Sequence, residues 1–295
     1  MTTPTARRIP RDRIVTSVAN RRRTILDVIR RAERQISLSM FRCDDEQILD
    51  GLARATSRGV VVDVIVTRRT QGNPSRLEEL KKALGWAGAT VHTYADPAVK
   101  YHAKYLVADA GPAIVASLNF TEKCFERTCD ALVVTYDPDV VSGLLRLIAA
   151  DCGGPPVPEP LSPRLIIGPE RARRQFKALI EGARSSIRLI DAKLSDPNLL
   201  ALIEARRSMG VTVEIFGSRW LGDLKSHGKI MLVDDRIAVV GSVALTAPSL
   251  DLRREVAIVI DEPTAVADVR QLFRMAALPR AGRIAATAAE GWALC

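Results

Sequence analysis

The sequence predicts an α/β protein made of two repeated halves, with mainly parallel sheets that are flanked by helices and packed around one shared site. Three observations lead to this prediction. The chain has 295 residues, 47% of them hydrophobic but only 4% aromatic, as in proteins with buried aliphatic strands. A segment rich in proline and glycine divides it near the middle. The elements before that segment recur after it, and the chain is long enough for two ordinary cores.

The dividing segment runs from Asp151 to Arg164 and reads DCGGPPVPEPLSPR. Its density of proline and glycine is incompatible with a helix or a strand. We therefore divide the chain into a first half at 1–150, a stiff linker at 151–164 and a second half at 165–295.

Each half is expected to begin with a helix, a strand, a second helix and a second strand. In the first half these elements are predicted at 21–33, 35–41, 47–58 and 60–67, and in the second half at 170–184, 186–192, 198–209 and 211–217. Gly59 and Gly210 end the second helix of each half as C-caps, just before an apolar strand. Such continuous apolar strands between helices favour parallel sheets covered on both faces. The first half also carries an insertion at roughly 69–96, predicted to hold a helix at 76–84 and a strand at 89–94.

Two copies of an H-x-K-x4-D pattern are the strongest chemical signal in the chain. The copies are His102, Lys104 and Asp109 in the first half, and His227, Lys229 and Asp234 in the second. Each copy runs along a predicted apolar strand, on which residues i and i+2 face the same way. The histidine and the lysine of each copy should therefore project together from one face.

Further polar residues follow both copies at equal spacing. A serine, Ser117 or Ser242, comes 15 positions after each histidine, and a carboxylate, Asp130 or Glu255, comes 28 positions after it. Asn119 follows the first serine by two positions.

These motifs and their spacing closely resemble the phospholipase D superfamily, from about residue 24 to residue 276. The resemblance implies two phospholipase D-like α/β/α halves around one shared active site. It implies phosphodiester chemistry through a covalent phosphohistidine, with no metal and no cofactor. The chain departs from the family pattern at Ala244, where asparagine is usual, so one phosphate donor is expected to be missing on that side.

The resemblance also suggests a role for each motif residue. His102 is expected to attack phosphorus and His227 to protonate the leaving oxygen, although the reverse assignment stays open. The groups expected to bind phosphate oxygens are Lys104, Lys229, Asn119, Ser117 and Ser242. Asp130 and Glu255 should orient the imidazoles, and Asp109 and Asp234 should have structural partners.

Arg42 and Lys193 lie just past the first strand of each half, at matching positions. Ligands gather at the carboxyl ends of parallel strands, so both side chains are candidates to bind substrate phosphate. The alternative is an ordinary solvated surface role.

The net charge of +9 and the pI near 9.6 favour polyanionic partners, either nucleic acid or an anionic membrane surface. A nuclease is the leading hypothesis. The second is a phospholipase D or a phosphatidyl transferase that resembles cardiolipin synthase, with the basic helix at 21–34 as its membrane contact. The third is a non-catalytic nucleic-acid-binding module, which only Ala244 supports. A monomer or a homodimer would suit each hypothesis.

The sequence contains no apolar run of 18 residues and no signal-peptide pattern at its start, so a cytoplasmic location is expected. The five cysteines are odd in number and form no C-x-x-C pair, which indicates free thiols and no structural zinc site.

Overall fold

The structure is a computed structural model that describes residues 10–68, 74–94, 96–153 and 161–278. Most of the predicted linker and the last residues of the second half lie outside this part, and the division of the chain at 151–164 stays a prediction. The elements up to residue 151 are β1 (Asp12–Val15), α1 (Val18–Arg31), β2 (Gln35–Met40), α2 (Glu46–Ser57), β3 (Val61–Val66), α3 (Pro74–Trp86), β4 (Thr90–Thr93), β5 (Lys100–Tyr101), β6 (Tyr105–Ala108), β7 (Ala113–Ala116), α4 (Glu122–Glu126), β8 (Thr128–Cys129), β9 (Leu132–Thr135) and α5 (Pro138–Asp151). The later elements are β10 (Leu165–Gly168), α6 (Ala172–Gly182), β11 (Ser186–Asp191), α7 (Pro197–Ser208), β12 (Thr212–Phe216), β13 (Trp220–Leu221), β14 (Leu224–Ser226), β15 (Lys229–Val233), β16 (Ile237–Gly241), α8 (Ala247–Asp251), β17 (Arg253–Ile260) and α9 (Pro263–Ala277).

Each half is built on its own mixed sheet. The strand order is β1-β9-β7-β6-β2-β3-β4 in the first sheet and β10-β17-β16-β15-β11-β12 in the second. Among the described strands of these two orders, only β2–β3, β3–β4 and β11–β12 pair in parallel. The α/β class and the two repeated halves are confirmed, but the prediction of mainly parallel sheets is wrong.

The wrong prediction has a physical cause in the motif strands. Strands β6 and β15 turn back into β7 and β16 through tight turns, and a connection that short joins antiparallel strands. The apolar runs do not alternate because both faces of each sheet are covered. Tyr105 and Val107 of β6 belong to the core between the two sheets, whereas Leu106 and Ala108 face the outer helices.

A single buried core joins the two halves. Leu144 of α5 and Val269 of α9 belong to the same apolar cluster as Tyr105 of the first sheet and Ile230 of the second. Two further clusters lie on the outer faces of the sheets, beneath α1 to α3 in the first half and beneath α6 and α7 in the second. The motif strands therefore border the core that the halves share.

The basic helix predicted at 21–34 corresponds to α1, and the first two of its arginines contact other parts of the protein. Arg21 is fully buried, and Arg22 forms ion pairs with Asp45 (2.8 Å) and Glu126 (3.0 Å). In the second half Arg173 pairs in the same way with Asp196 and Asp251. Within the described residues, none of the helices combines the length and the apolar character that a membrane crossing requires.

Candidate active site

The aspartate that ends each motif holds the start of a neighbouring strand. Asp109 and Asp234 adopt left-handed backbone conformations (φ 50° and 52°) in the turns after β6 and β15. The Asp109 carboxylate accepts from the backbone N–H groups of residues 33 to 35, and the Asp234 carboxylate from those of residues 184 to 186. These backbone donors lower the pKa of both carboxyl groups although burial opposes them. Both aspartates have the structural partners that the sequence analysis expected.

The strand leading into each motif histidine pairs with a strand of the other half. Strand β5 lies parallel to the start of β17, and β14 lies parallel to β8. The His102 N–H donates to the Arg254 carbonyl (2.9 Å), and the Gly228 N–H, next to His227, donates to the Cys129 carbonyl (2.8 Å). Glycine is needed at 228 because a Cβ there would approach the Cys129 carbonyl oxygen to 2.7 Å. The backbone of each half therefore fixes the histidine of the other.

Each histidine is also hydrogen-bonded to the carboxylate of the opposite half. His102 Nδ1 lies 2.9 Å from Glu255 Oε2, and His227 Nδ1 lies 2.9 Å from Asp130 Oδ2. Both carboxylates are buried, whereas the side chain of His102 is 14% exposed and that of His227 is 31% exposed. An Nδ1–H that donates to a carboxylate fixes the ring and directs the Nε2 lone pair away from that carboxylate. The Nε2 atom of His102 lies 3.3 Å from Lys104 Nζ. The crossed pairs place both motifs in one site.

Hydroxyl groups hold the two carboxylates. Ser117 Oγ donates to Asp130 Oδ1 (2.7 Å), and Thr128 Oγ1 donates to Asp130 Oδ2 (2.6 Å). In the second half Ser249 Oγ donates to Glu255 Oε1 (2.8 Å). Thr128 and Ser249 were missed, although Thr128 precedes the carboxylate by two residues, on the same face of an extended segment.

The two motif serines occupy supporting positions in place of the expected phosphate contacts. Ser117 and Ser242 are fully buried. Each hydroxyl accepts from a backbone N–H, that of Ala131 for Ser117 (3.0 Å) and that of Val256 for Ser242 (3.1 Å). Their equal spacing from the histidines was informative about the fold, but it could not indicate the direction of the hydroxyl groups.

The positive charge near each carboxylate keeps it anionic. Burial alone raises the pKa of Asp130, but the neighbouring His227 and Lys229 outweigh burial and lower that pKa to about 2. Burial likewise raises the pKa of Glu255, but the hydrogen bond from His102 and the charge of Lys104 outweigh burial and lower that pKa to about 2. The charges of the two halves thus act on one another within a single site.

His102 and Lys104 are both held below their ordinary pKa by burial. For His102, burial outweighs the attraction of Glu255, and the charges of Lys104 and Lys229 lower the pKa further. Burial and the charge of Lys229 lower the pKa of Lys104 to about 7. His102 is therefore a neutral imidazole at pH 7, beside a buried carboxylate.

The two motif lysines lie in unlike surroundings. Each is buried, and each Nζ donates to the carbonyl of its own motif histidine at 2.6 Å. Lys229 lies opposite the buried Asp191 in the β11–β15 ladder. The equivalent position of the first half, at the end of β2, is the apolar Met40.

Asn119 and Ala244 differ as the sequence indicated. The Asn119 Oδ1 atom is buried and has no hydrogen-bond partner within the described part of the chain. Ala244 is buried, and its backbone N–H donates to Ser249 Oγ (2.9 Å). The side chain at 244 therefore supplies no polar group to the second half of the site.

Arg42 and Lys193 lie where the sequence placed them, two residues past the ends of β2 and β11. Both are exposed. Two further cations, Lys100 and Arg253, come from the paired strands β5 and β17 and lie next to the motif residues. Lys100 was not assigned a role from the sequence, although it precedes His102 by two positions.

Arg21 is a further supporting residue that the sequence did not reveal. Its guanidinium donates to the backbone carbonyls of Thr128 (2.6 Å) and Asp130 (2.7 Å). It therefore holds the segment that carries one of the two site carboxylates. Arginine is rarely buried, so an arginine at the start of a basic helix is expected to be exposed.

Three side chains of the site lie close enough to share a metal ion. The ligand atoms of Cys124, Asp130 and His227 lie within 4.8 Å of one another. In the structure Asp130 and His227 are hydrogen-bonded to each other instead. The metal-free site therefore stays a prediction.

His92 is hydrogen-bonded to Asp63 on the first sheet, and it takes no part in the contacts of the candidate site.

The profile of the family described as "Cardiolipin synthase, PLD-like domain" matches residues 25–151 and 217–276, more than half of the chain. The chain belongs to the phospholipase D superfamily, a superfamily of enzymes. Both motifs and both crossed carboxylates fall within the matched segments. Curated proteins provide no significant sequence match.

Two solved structures share the superfamily fold with this chain. The polyphosphate kinase of Porphyromonas gingivalis matches 88% of this chain with a TM-score of 0.72 and 19% identity, and the match spans 46% of that protein's length. The phosphatidylserine synthase of Haemophilus influenzae matches 90% of this chain and 86% of its own, with a TM-score of 0.70 and 14% identity. At these identities the similarity establishes the fold with its two halves.

Proposed function

We propose that this superfamily member is a metal-independent phosphodiesterase, which forms a phosphohistidine intermediate and acts on nucleic-acid phosphodiesters. The observation that carries the proposal is the pair of crossed histidine–carboxylate hydrogen bonds beside two buried lysines. Displacement at a diester needs one group to attack phosphorus and another to protonate the leaving oxygen. Two imidazoles oriented within one site can supply these two groups.

In the first step, His102 Nε2 attacks phosphorus, and a P–N bond forms while the bond to the leaving oxygen breaks. His227 donates its Nε2 proton to that oxygen, and Asp130 stabilises the imidazolium before the transfer. His102 suits the attacking role because its lowered pKa keeps it neutral. Glu255 offsets the positive charge that develops on the His102 ring as the P–N bond forms.

In the second step, the now neutral His227 accepts a proton from water, and the water oxygen attacks the phosphohistidine. The P–N bond breaks, and the ring of His102 returns to its starting state. An alcohol in place of water would give transfer in place of hydrolysis.

Charge neutralisation of the diester falls to Lys104, Lys229 and the amide of Asn119. Donors fixed before the reaction stabilise the additional negative charge on the non-bridging oxygens without further reorganisation. The two lysines would supply the electrostatic stabilisation that a metal ion provides in other phosphodiesterases.

Nucleic acid is the favoured substrate because of the cations around the site. Arg42, Lys100, Lys193 and Arg253 surround the motif residues, and the chain carries a net charge of +9. Contacts from cations to phosphates provide affinity that does not depend on base sequence.

A phospholipid is the second candidate substrate, for a phospholipase D or a phosphatidyl transferase. The description of the matching family names cardiolipin synthase. In addition, Leu252, next to β17, and Trp220 of β13 have 59% and 50% exposure. Exposed apolar side chains of this kind can contact a lipid surface.

The deciding experiment is a parallel assay in EDTA of single-stranded DNA, duplex DNA, RNA and vesicles of phosphatidylcholine with phosphatidylglycerol. The purified His102→Ala variant serves as the blank. We expect cleavage of nucleic acid by the wild-type protein and none by the variant. Release of lipid head groups alone would replace the nuclease with the phospholipid enzyme, and no turnover of any substrate would contradict the phosphodiesterase proposal.

A further inference from the structure

Four cations beside the motif residues form a cluster that the two-step chemistry does not use. Arg42, Lys100, Lys193 and Arg253 come from four different segments of the chain. Among the described residues, no carboxylate lies within ion-pair distance of any of the four. A surface that gathers several cations without carboxylate partners is suited to bind an anion.

Two of these cations lie one step outward from the crossed pair of His102 and Glu255. Lys100 lies opposite Arg253 in the parallel β5–β17 pairing. Residues two apart on a strand face the same side and are about 6–7 Å apart along it. Lys100 therefore shares a side with His102, and Arg253 shares a side with Glu255.

The ring of Phe41 links this cluster to the motif residues. Arg42 Cζ lies 5.4 Å from the ring centroid, and Lys100 Nζ lies 5.6 Å from it. Lys104 Nζ lies 5.3 Å from the same centroid, and the His102 ring packs against Phe41 at 4.5 Å. One aromatic side chain thus holds two cluster cations at a fixed distance from the reacting groups.

The cluster cations repel one another when no anion is bound. Burial is the main cause that lowers the pKa of Lys100, followed by the charges of Arg253, Lys193 and Arg42. Although the Lys193 residue is exposed overall, partial burial of its amine lowers its pKa, together with the charges of Lys229 and Arg253. A bound anion would remove this repulsion, because it attracts all four groups at once.

The cluster is only partly repeated around His227. The position equivalent to Lys100 is Lys225 of β14, and it lies opposite Thr128. Thr128 is uncharged, buried and hydrogen-bonded to Asp130, so this position provides no second cation. The cation without a counterpart, Arg253, therefore lies on the side of the site near His102.

We propose that Arg42, Lys100, Lys193 and Arg253 form a second anion subsite, which binds a substrate phosphate covalently linked to the scissile one. The inference rests on the proposed function, since the scissile phosphate is taken to lie at the two histidines. On a nucleic-acid strand the second group is the neighbouring phosphate of the backbone. The enzyme would then prefer substrates with at least two phosphates.

The test measures the binding of inorganic phosphate and of pyrophosphate by calorimetry, in EDTA, to the full-length protein. Pyrophosphate should bind at least about 10-fold more tightly than phosphate, and this ratio should fall to about 3-fold or less in Lys100→Ala. Lys225→Ala removes the same charge from the equivalent position before His227, and it should keep the wild-type ratio. Thermal melting verifies that both variants are folded.

An equal ratio of pyrophosphate to phosphate affinity in the wild-type protein and in Lys100→Ala would overturn the subsite. An equal loss of this ratio in Lys225→Ala would also overturn it, because the effect would then come from the overall charge. Because binding needs no turnover, this test can fail or succeed independently of the proposed phosphodiesterase activity.

The source of the second phosphate follows from relative kcat/KM values. Preference for thymidine trinucleotide over dinucleotide indicates a nucleic-acid strand, and preference for cardiolipin over phosphatidylglycerol indicates a lipid.

Discussion

The two halves of the active site repeat one backbone arrangement but support it with different side chains. Asp130 receives hydrogen bonds from Ser117 and Thr128, whereas the longer Glu255 receives one from Ser249. In both halves the carboxylate reaches the histidine of the other half at 2.9 Å. The comparison indicates that the orientation of the imidazole is the shared requirement, and that several hydroxyl arrangements can satisfy it.

The differences between the halves also make the two histidines unequal. The first half provides Asn119 and the apolar Met40, where the second provides Ala244 and Asp191. Arg253 near His102 is replaced by the neutral Thr128 at the equivalent position near His227. Unequal surroundings suit a reaction in which one imidazole attacks while the other transfers a proton.

The largest expected effect is the loss of either histidine. In one shared site, His102→Ala and His227→Ala should each lower turnover of an unactivated diester by about 1,000-fold or more. Steady-state rates on oligonucleotides measure this loss. Two independent sites would instead leave each variant with about half of the wild-type rate, and this result would refute the single shared site.

The next largest effect separates the two carboxylates. Asp130→Asn and Glu255→Gln should each cost about 100-fold to 10,000-fold in turnover, because each amide leaves an imidazole wrongly oriented. With bis(p-nitrophenyl) phosphate, whose leaving group needs no proton, Glu255→Gln should slow the first release of nitrophenol. Asp130→Asn should spare that burst and slow the later steps. The reverse pattern would mean that His227 attacks in place of His102, or that each carboxylate serves the histidine of its own half.

A smaller effect concerns pH and Lys104. Because burial lowers its pKa to about 7, its ammonium group loses its proton as the pH rises through that value. The charge that neutralises the diester is present below this pKa and lost above it, so kcat/KM should fall by about 10-fold per pH unit on the alkaline side. In Lys104→Arg, which stays charged, any remaining activity should lack this fall. A wild-type profile that is flat from neutral to alkaline pH would contradict the role of Lys104.

The smallest expected effect is that of chelation. If the two lysines stabilise the charge of the diester, EDTA should leave the rate within about 2-fold of its starting value, since no metal takes part. Rates before and after dialysis against EDTA test this expectation. Complete loss that a divalent ion reverses would refute the proposed chemistry and direct attention to Cys124, Asp130 and His227.

Much of this fold and site follows from the sequence because the chain contains its own repeat. The spacing of Gly59 and Gly210 predicted the two halves, and the matched spacing after His102 and His227 found both carboxylates. The sheets were expected to be mainly parallel because continuous apolar runs are typical of strands that are covered on both faces. Such a run contains no information on strand direction, so this expectation was wrong. Asp109 and Asp234 were assigned structural roles, and each accepts hydrogen bonds from backbone N–H groups of a neighbouring strand.

The features that the sequence did not reveal depend on contacts between the halves. Which carboxylate serves which histidine is decided by the pairing of β5 with β17 and of β14 with β8, and no local pattern encodes those pairings. Ser117 and Ser242 have the expected spacing, but their hydroxyl groups are used inside the protein. Arg21 was missed because its partners are backbone carbonyls more than 100 positions away.

The central claim is one composite site in which His102 attacks and His227 transfers protons. It is tested most directly by mass spectrometry of the His227→Ala variant after incubation with bis(p-nitrophenyl) phosphate and a denaturing quench without acid. The departing nitrophenolate needs no proton, so the first step should proceed and the second should stall. The account predicts one nitrophenyl phosphate group per chain, on His102, and none in the His102→Ala variant. Two groups per chain, or one group on another residue, would contradict it.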